Sequence, residues 1–143
     1  MSGLLLVIPA TALAVIGSTI LHYGAASILA KRLHRIALAP ASGMILLVLS
    51  LFVVHMLEIG LFGILAWSLV NHGQAGALEG MVPVASPGDF LYFSVISYTT
   101  LGYGEIYPTG AIRFLYGAEA LMGFLLITWS ASFSFLHMQR LWR

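Results

Sequence analysis

The 143-residue chain contains no cysteine and very little charge: six Lys or Arg and five Asp or Glu, 8% of its residues. The lack of cysteine excludes disulfides and thiolate metal sites, and says nothing about the compartment. The scarcity of charge excludes a water-soluble fold, since a soluble domain carries about a quarter charged residues. With 60% hydrophobic residues and a mean hydropathy of +1.00, the chain could not cover its surface in water. A net charge of +1 offers no basic face, so no nucleic-acid partner is expected. The five histidines are scattered, with no close His/Cys cluster, and neither a Ser/His/Asp order nor a phosphate-binding loop is visible. The chain reads as a membrane protein, short enough for one domain, and not as an enzyme.

What is present is long apolar runs. From Gly3 to Ala30 there is no charge, and about 20 apolar residues suffice to cross a bilayer. Pro9, Gly17 and Gly24 are tolerated in a membrane helix. No Lys or Arg precedes the run and it continues to Ala30, so a permanent span is expected rather than a cleaved leader. Lys31, Arg32, His34 and Arg35 form the basic cluster, and Pro40, Ser42 and Gly43 mark a turn. A second span is expected over about 44–70, with His55 and Glu58 inside it. Residues 71–86 read as a Gly-rich aqueous loop. A third span is expected over about 111–136, starting beside Arg113, carrying Glu119 and followed by Arg140, Trp142 and Arg143.

Before the third span lies a shorter element. Ser86 is a candidate N-cap, Pro87 suits the first helical position, and Asp89 stands three residues after the cap. The apolar part, Phe90 to Tyr98, gives only about 14 Å of helix at 1.5 Å per residue, too short to span. It fits a re-entrant half-helix followed by irregular backbone, tolerated at membrane depth only where it is buried in protein or lines water. The topology therefore calls for a cavity at residues 99–105. The Lys/Arg distribution places residues 31–42 and the C-terminus in the cytoplasm, and the N-terminus and residues 71–110 outside.

At that position stands Thr99-Thr100-Leu101-Gly102-Tyr103-Gly104-Glu105. A dehydrated cation needs oxygens in place of its lost water, and backbone carbonyls supply them if successive ones point the same way. Such backbone suits Gly102 and Gly104, which lack a Cβ. Thr100 adds a hydroxyl. Tyr103, facing away from the axis, would brace the loop, with Tyr92, Phe93 and Tyr98 as an aromatic collar. The C-terminal end of the half-helix, near Tyr98, favours a cation below it.

This run, with Tyr92-Phe93-Ser94 before it and Ile106-Tyr107-Pro108, Arg113, Glu119 and Gly123 after it, resembles the pore of bacterial two-transmembrane-type potassium channels. The resemblance covers about residues 44–137 and is specific over 92–108. It implies an all-α membrane fold: three transmembrane helices, with a re-entrant pore helix and filter loop between the second and third. The pore module would be 43–143, with 1–42 an extra N-terminal helix and cytoplasmic loop. The resemblance further implies a homotetramer in the inner membrane, with potassium held by the carbonyls of Thr100, Leu101, Gly102 and Tyr103. Gly104 would close the filter, Glu105 would support it at the mouth, and Gly123 is the candidate gating hinge. No cofactor is expected beyond potassium as the permeant ligand. Leu101 and Glu105 depart from the usual valine and aspartate. The first span has no arginine ladder, so it is not expected to sense voltage.

Glu58 and Glu119 are intramembrane acids, expensive to insert and functional by default. They are expected to support the filter from behind together with Tyr98 and Tyr92, or to serve helix packing, and to pair with each other or with His55. Two alternatives remain open at this stage. One is a weakly selective or non-conducting cation channel homologue. The other is a membrane metal-binding or accessory protein using His55, Glu58 and Glu119, with His22 as a further ligand. Trp67 and Trp142 suit the interfacial belts, and Trp129 lies mid-span. Gly60 and Gly63 read as packing residues.

Overall fold

The computed structural model describes residues 2–35, 39–73, 75–81 and 86–141. Three long helices cross it: α1 (Ser2–Arg35), α2 (Pro40–Gly73) and α4 (Ile112–Leu141). All three are long and apolar enough to cross a membrane. Trp142 and Arg143, expected at the far end of the third span, lie outside the described residues.

Each helix turns a stripe of residues three or four apart toward its neighbours. On α1 the stripe is Val7, Thr11, Ala14, Ser18, His22 and Ala26; on α4 it is Leu115, Glu119, Met122, Leu126 and Ser130. The other faces expose residues such as Leu13, Ile20, Val53, Ile64, Leu121 and Phe124. An apolar outer face suits lipid, where burial is not what separates inside from outside. Thr11 satisfies its hydroxyl by donating to the Val7 carbonyl one turn back, at 2.7 Å.

The fourth helix, α3 (Pro87–Tyr98), has 12 residues, about 18 Å, and does not span. Its start is fixed by the capping signals in the sequence. The Asp89 carboxylate accepts from the Ser86 backbone N–H at 2.8 Å and from its hydroxyl at 2.9 Å. Phe90, Phe93, Ser94, Ile96 and Tyr98 are buried on α3, wedged between α2 and α4. Phe93 meets Tyr116 of α4 edge to face, with ring centroids 4.6 Å apart.

Part of the region read as an aqueous loop is instead a strand. β1 (Ala77–Gly80) pairs antiparallel with β2 (Ile106–Thr109), Ala77 opposite Thr109 and Gly80 opposite Ile106. The Met81 N–H donates to the Glu105 carbonyl at 3.0 Å, and the Ile112 N–H to the Ala75 carbonyl at 2.8 Å. The chain entering α3 is thus clipped to the chain leaving the loop at 99–105, so both ends of that loop are held. This is an all-α membrane fold with a small two-stranded clip.

Candidate functional site

Three hydrogen bonds hang the loop from the last turn of α3. The Thr99 N–H donates to the Val95 carbonyl at 3.1 Å, Thr100 to Ser97 at 2.9 Å and Gly102 to Ile96 at 3.2 Å. The Thr99 hydroxyl adds a bond to the Val95 carbonyl at 2.7 Å. From there the backbone alternates. Thr100, Gly102 and Gly104 have positive φ, at 60°, 51° and 85°, while Leu101 and Tyr103 between them do not. Thr100 is the one non-glycine residue with positive φ among the described residues. An L-residue is disfavoured there, so the surrounding contacts must hold it in place.

The loop presents its side chains outward. Leu101 is 58% and Tyr103 65% exposed, and Thr100, Gly102 and Gly104 are exposed as well. Among the described residues of this chain no ring contact joins Tyr103 to Tyr92, Phe93 or Tyr98, although its phenol lies near enough to act electrostatically on that of Tyr92. Those three side chains are committed elsewhere: Phe93 to Tyr116, Tyr92 to Glu105, and Tyr98 to the interior. The reason is the turn of α3, which aims them at α2, α4 or the mouth of the loop.

Two of the expected supports meet each other. The Tyr92 hydroxyl donates to the Glu105 carboxylate, joining the outer face of α3 to the end of the loop. That hydrogen bond raises the Tyr92 phenol above its ordinary range.

Behind the loop, Tyr98 is fully buried and its hydroxyl donates to Glu58 Oε2 at 2.5 Å. The two oxygens of Glu58 also face two histidines. His22 Nδ1 lies 3.0 Å from Oε1 and His55 Nδ1 3.2 Å from Oε2. On their far sides both rings turn Nε2 toward the Ser130 hydroxyl, at 3.3 Å for His22 and 3.0 Å for His55. The cluster draws on α1, α2, α3 and α4. It is the kind of filled polar network that a carboxylate at membrane depth requires.

Glu58 and Glu119 do not pair. Glu119 is fully buried on α4 and accepts a hydrogen bond from the Ser94 hydroxyl at 3.3 Å, and its Oε1 has no partner among the described residues. The two acids thus grip α3 at different turns, Ser94 and Tyr98. His22, His55 and Glu58 can bring one ligand atom each within 4.8 Å of one another; Glu119 stands apart from that group. Trp129 packs its ring on His22, with centroids 5.3 Å apart, and is 40% exposed.

Gly123, the hinge candidate, lies where α4 passes the end of α3. A Cβ there would fall 2.1 Å from the Tyr98 carbonyl oxygen, so glycine is demanded by close packing at this point. Helix α4 runs through it unbroken. Gly63 of α2 stands close to Leu91 of α3 in a similar way, with a built Cβ 3.1 Å from the Leu91 Cα.

Sequence reasoning underrated His22 and missed Ser130. A signal existed for both. His22 continues the four-residue rhythm of Ala14 and Ser18, and Ser130 that of Met122 and Leu126, so each belongs to the buried stripe of its helix.

A family model described as "Ion channel" matches residues 43–139. No curated protein and no solved structure matches the chain. The matched stretch holds nearly all of α2 and α4, the half-helix and the hung loop, and on this ground the chain belongs to the ion channel family.

Proposed function

We infer that the protein is a potassium-selective channel, a homotetramer in which four loops at 100–104 enclose a single-file path. The observation that carries this reading is the alternating backbone. Positive φ at Thr100, Gly102 and Gly104, with Leu101 and Tyr103 between them, is the pattern by which successive carbonyls turn to one side. Carbonyls of Thr100, Leu101, Gly102 and Tyr103 are then the potassium ligands, with Gly104 closing the loop. The exposure of the loop in a single chain supports several copies, since one loop makes one wall. Tyr103, without a partner for its ring within the described residues, would find one on a neighbouring copy. Tyr92 with Glu105, Tyr98 with Glu58, and Ser94 with Glu119 brace the loop from outside and behind. Residues 43–143 form the pore module, and α1 packs against its α2 and α4.

The basic cluster at the end of α1 and Arg140 at the end of α4 favour a cytoplasmic C-terminus. The chain lacks cysteine, so single cysteines at Met81 and Ala41 can be read without background. An impermeant thiol reagent outside the cell is expected to label the first and spare the second; the reverse refutes the orientation. The function is tested by tracer flux into vesicles containing the purified protein, with potassium and sodium compared side by side. Potassium uptake well above sodium uptake is expected. Equal uptake of both would refute selectivity.

A further inference from the structure

We propose that His22, His55 and Glu58 form a binding site for a divalent transition-metal ion of the zinc class, separate from the path of the permeant ion. Both imidazoles turn the same atom, Nδ1, at the two oxygens of one carboxylate, 3.0 and 3.2 Å away. A tetrahedral zinc ion about 2.0–2.1 Å from each donor sets neighbouring donors about 3.3 Å apart. The three ligand atoms, one from each residue, lie within 4.8 Å of one another, so they need to draw together by at most about 1.5 Å to take the ion between them. The Tyr98 hydroxyl, 2.8 Å from His55 Nδ1 and 2.5 Å from Glu58 Oε2, stands where a fourth donor is needed.

The far sides of the rings fit a bound ion as well. Both Nε2 atoms face one serine hydroxyl, which has one proton to give and two lone pairs to offer. If both rings are neutral and give their Nδ1 protons to Glu58, both Nε2 atoms need a donor, and Ser130 can serve only one. With a metal on the two Nδ1 atoms, each Nε2 carries the proton, and both donate into the lone pairs of Ser130. Metal-bound histidines hold their second N–H in this way. Without metal the rings can divide the roles: His55 accepts from the Tyr98 hydroxyl at Nδ1 and donates from Nε2 to Ser130, which donates on to His22 Nε2.

The donor set also selects the ion. Two imidazoles and a carboxylate suit zinc, cobalt, nickel or copper, whereas calcium and magnesium take oxygen ligands. His22 comes from α1, outside the stretch that matches the channel family, and Tyr98 closes the half-helix that carries the loop. An ion here would pin the extra helix to the base of the loop.

The test uses the untagged full-length protein in detergent, stripped with EDTA and titrated with cobalt(II) chloride. Visible absorption bands of four- or five-coordinate cobalt are expected, saturating at one ion per chain and displaced by zinc chloride. His22→Gln and His55→Gln should each weaken binding by at least about 100-fold, and Ser130→Ala by about 10- to 100-fold. His72→Gln and His137→Gln, on exposed or half-exposed positions, should leave it unchanged. The absence of such bands in the parent protein overturns the site, whatever the variants do, and leaves a hydrogen-bonded network of His22, His55, Glu58, Tyr98 and Ser130 as its description. Bands that survive both His22→Gln and His55→Gln also overturn it. Neither result bears on potassium flux, so the site and the pore stand or fall separately.

Discussion

The loop at 100–104 and the polar cluster behind it are neighbours built in opposite ways. In the loop the proposed working groups are backbone carbonyls, the side chains are exposed, and the conformation rests on three residues of positive φ. In the cluster the working groups are side chains, Glu58 and His22 are only 0% and 1% exposed, and the backbone is ordinary helix. One region is sensitive to what a Cβ does to the chain, and the other to what a missing partner does to a buried polar atom. Tyr98 joins them, since it ends the half-helix and gives its hydroxyl to Glu58. Substitutions should therefore separate the regions by kind of damage: lost selectivity with intact assembly for the loop, lost stability for the cluster.

The largest effect is expected at Gly102. A Cβ there would meet nothing within 4 Å, so alanine is resisted by the left-handed backbone alone, at φ 51°. That conformation costs an L-residue about 1–2 kcal/mol. Gly102→Ala is expected to abolish selective potassium flux while the protein still inserts and assembles, as read by flux and by size in detergent. Selectivity unchanged from the parent would mean the loop does not work through its backbone.

Next comes Glu58. Replacing it with leucine removes the acceptor shared by His22, His55 and Tyr98. Breaking a buried pair on one side costs about 3–5 kcal/mol. Thermal unfolding in detergent should show that loss for Glu58→Leu, and a distinctly smaller one for Glu58→Gln. Equal, negligible losses would mean the cluster is not what holds α1 and α3 together.

Gly123→Ala sharpens the boundary between packing and hinge. The added methyl meets the backbone of Tyr98, which yields only if α3 or α4 shifts. Overpacking of this kind costs about 1–3 kcal/mol. A fall in unfolding temperature is expected alongside any change in flux; altered gating at full stability would argue for a hinge alone.

Glu119 tests the other grip on α3. Glu119→Gln keeps an acceptor for the Ser94 hydroxyl and should largely preserve flux. Glu119→Leu leaves Ser94 unpaired, at about 1–3 kcal/mol, and should weaken the proposed tetramer or make the loop inactivate. The smallest effect belongs to Tyr92→Phe. Its bond to Glu105 sits on an exposed surface, so stability should barely move, and slower recovery of conduction is the expected readout.

The contrast between the regions also explains what the sequence made legible. The half-helix and the loop depend on neighbours in the chain. Ser86, Pro87 and Asp89 announce the start, the shortness of the mostly apolar run Phe90–Tyr98 shows that it cannot span, and the glycines mark where positive φ is needed. His55 and Glu58 are one turn apart, so their pairing was also local and visible. The partners of Glu58 from α1 and α4 were harder to see: they stand far off in the chain, and only their place in the four-residue rhythm, His22 after Ser18 and Ser130 after Leu126, marks them. The β1–β2 clip escaped for a related reason. Ala77-Leu78-Glu79-Gly80 has little strand character of its own and forms only because Ile106–Thr109 returns beside it.

The measurement that tests the central claim most directly is the reversal potential of the purified protein in a planar bilayer, with potassium on one side and sodium on the other. A backbone-carbonyl path at 100–104 predicts a reversal potential displaced far toward the potassium equilibrium value in the parent, and collapsing toward zero in Gly102→Ala if any current remains. A parent current that reverses near zero would contradict a selective loop.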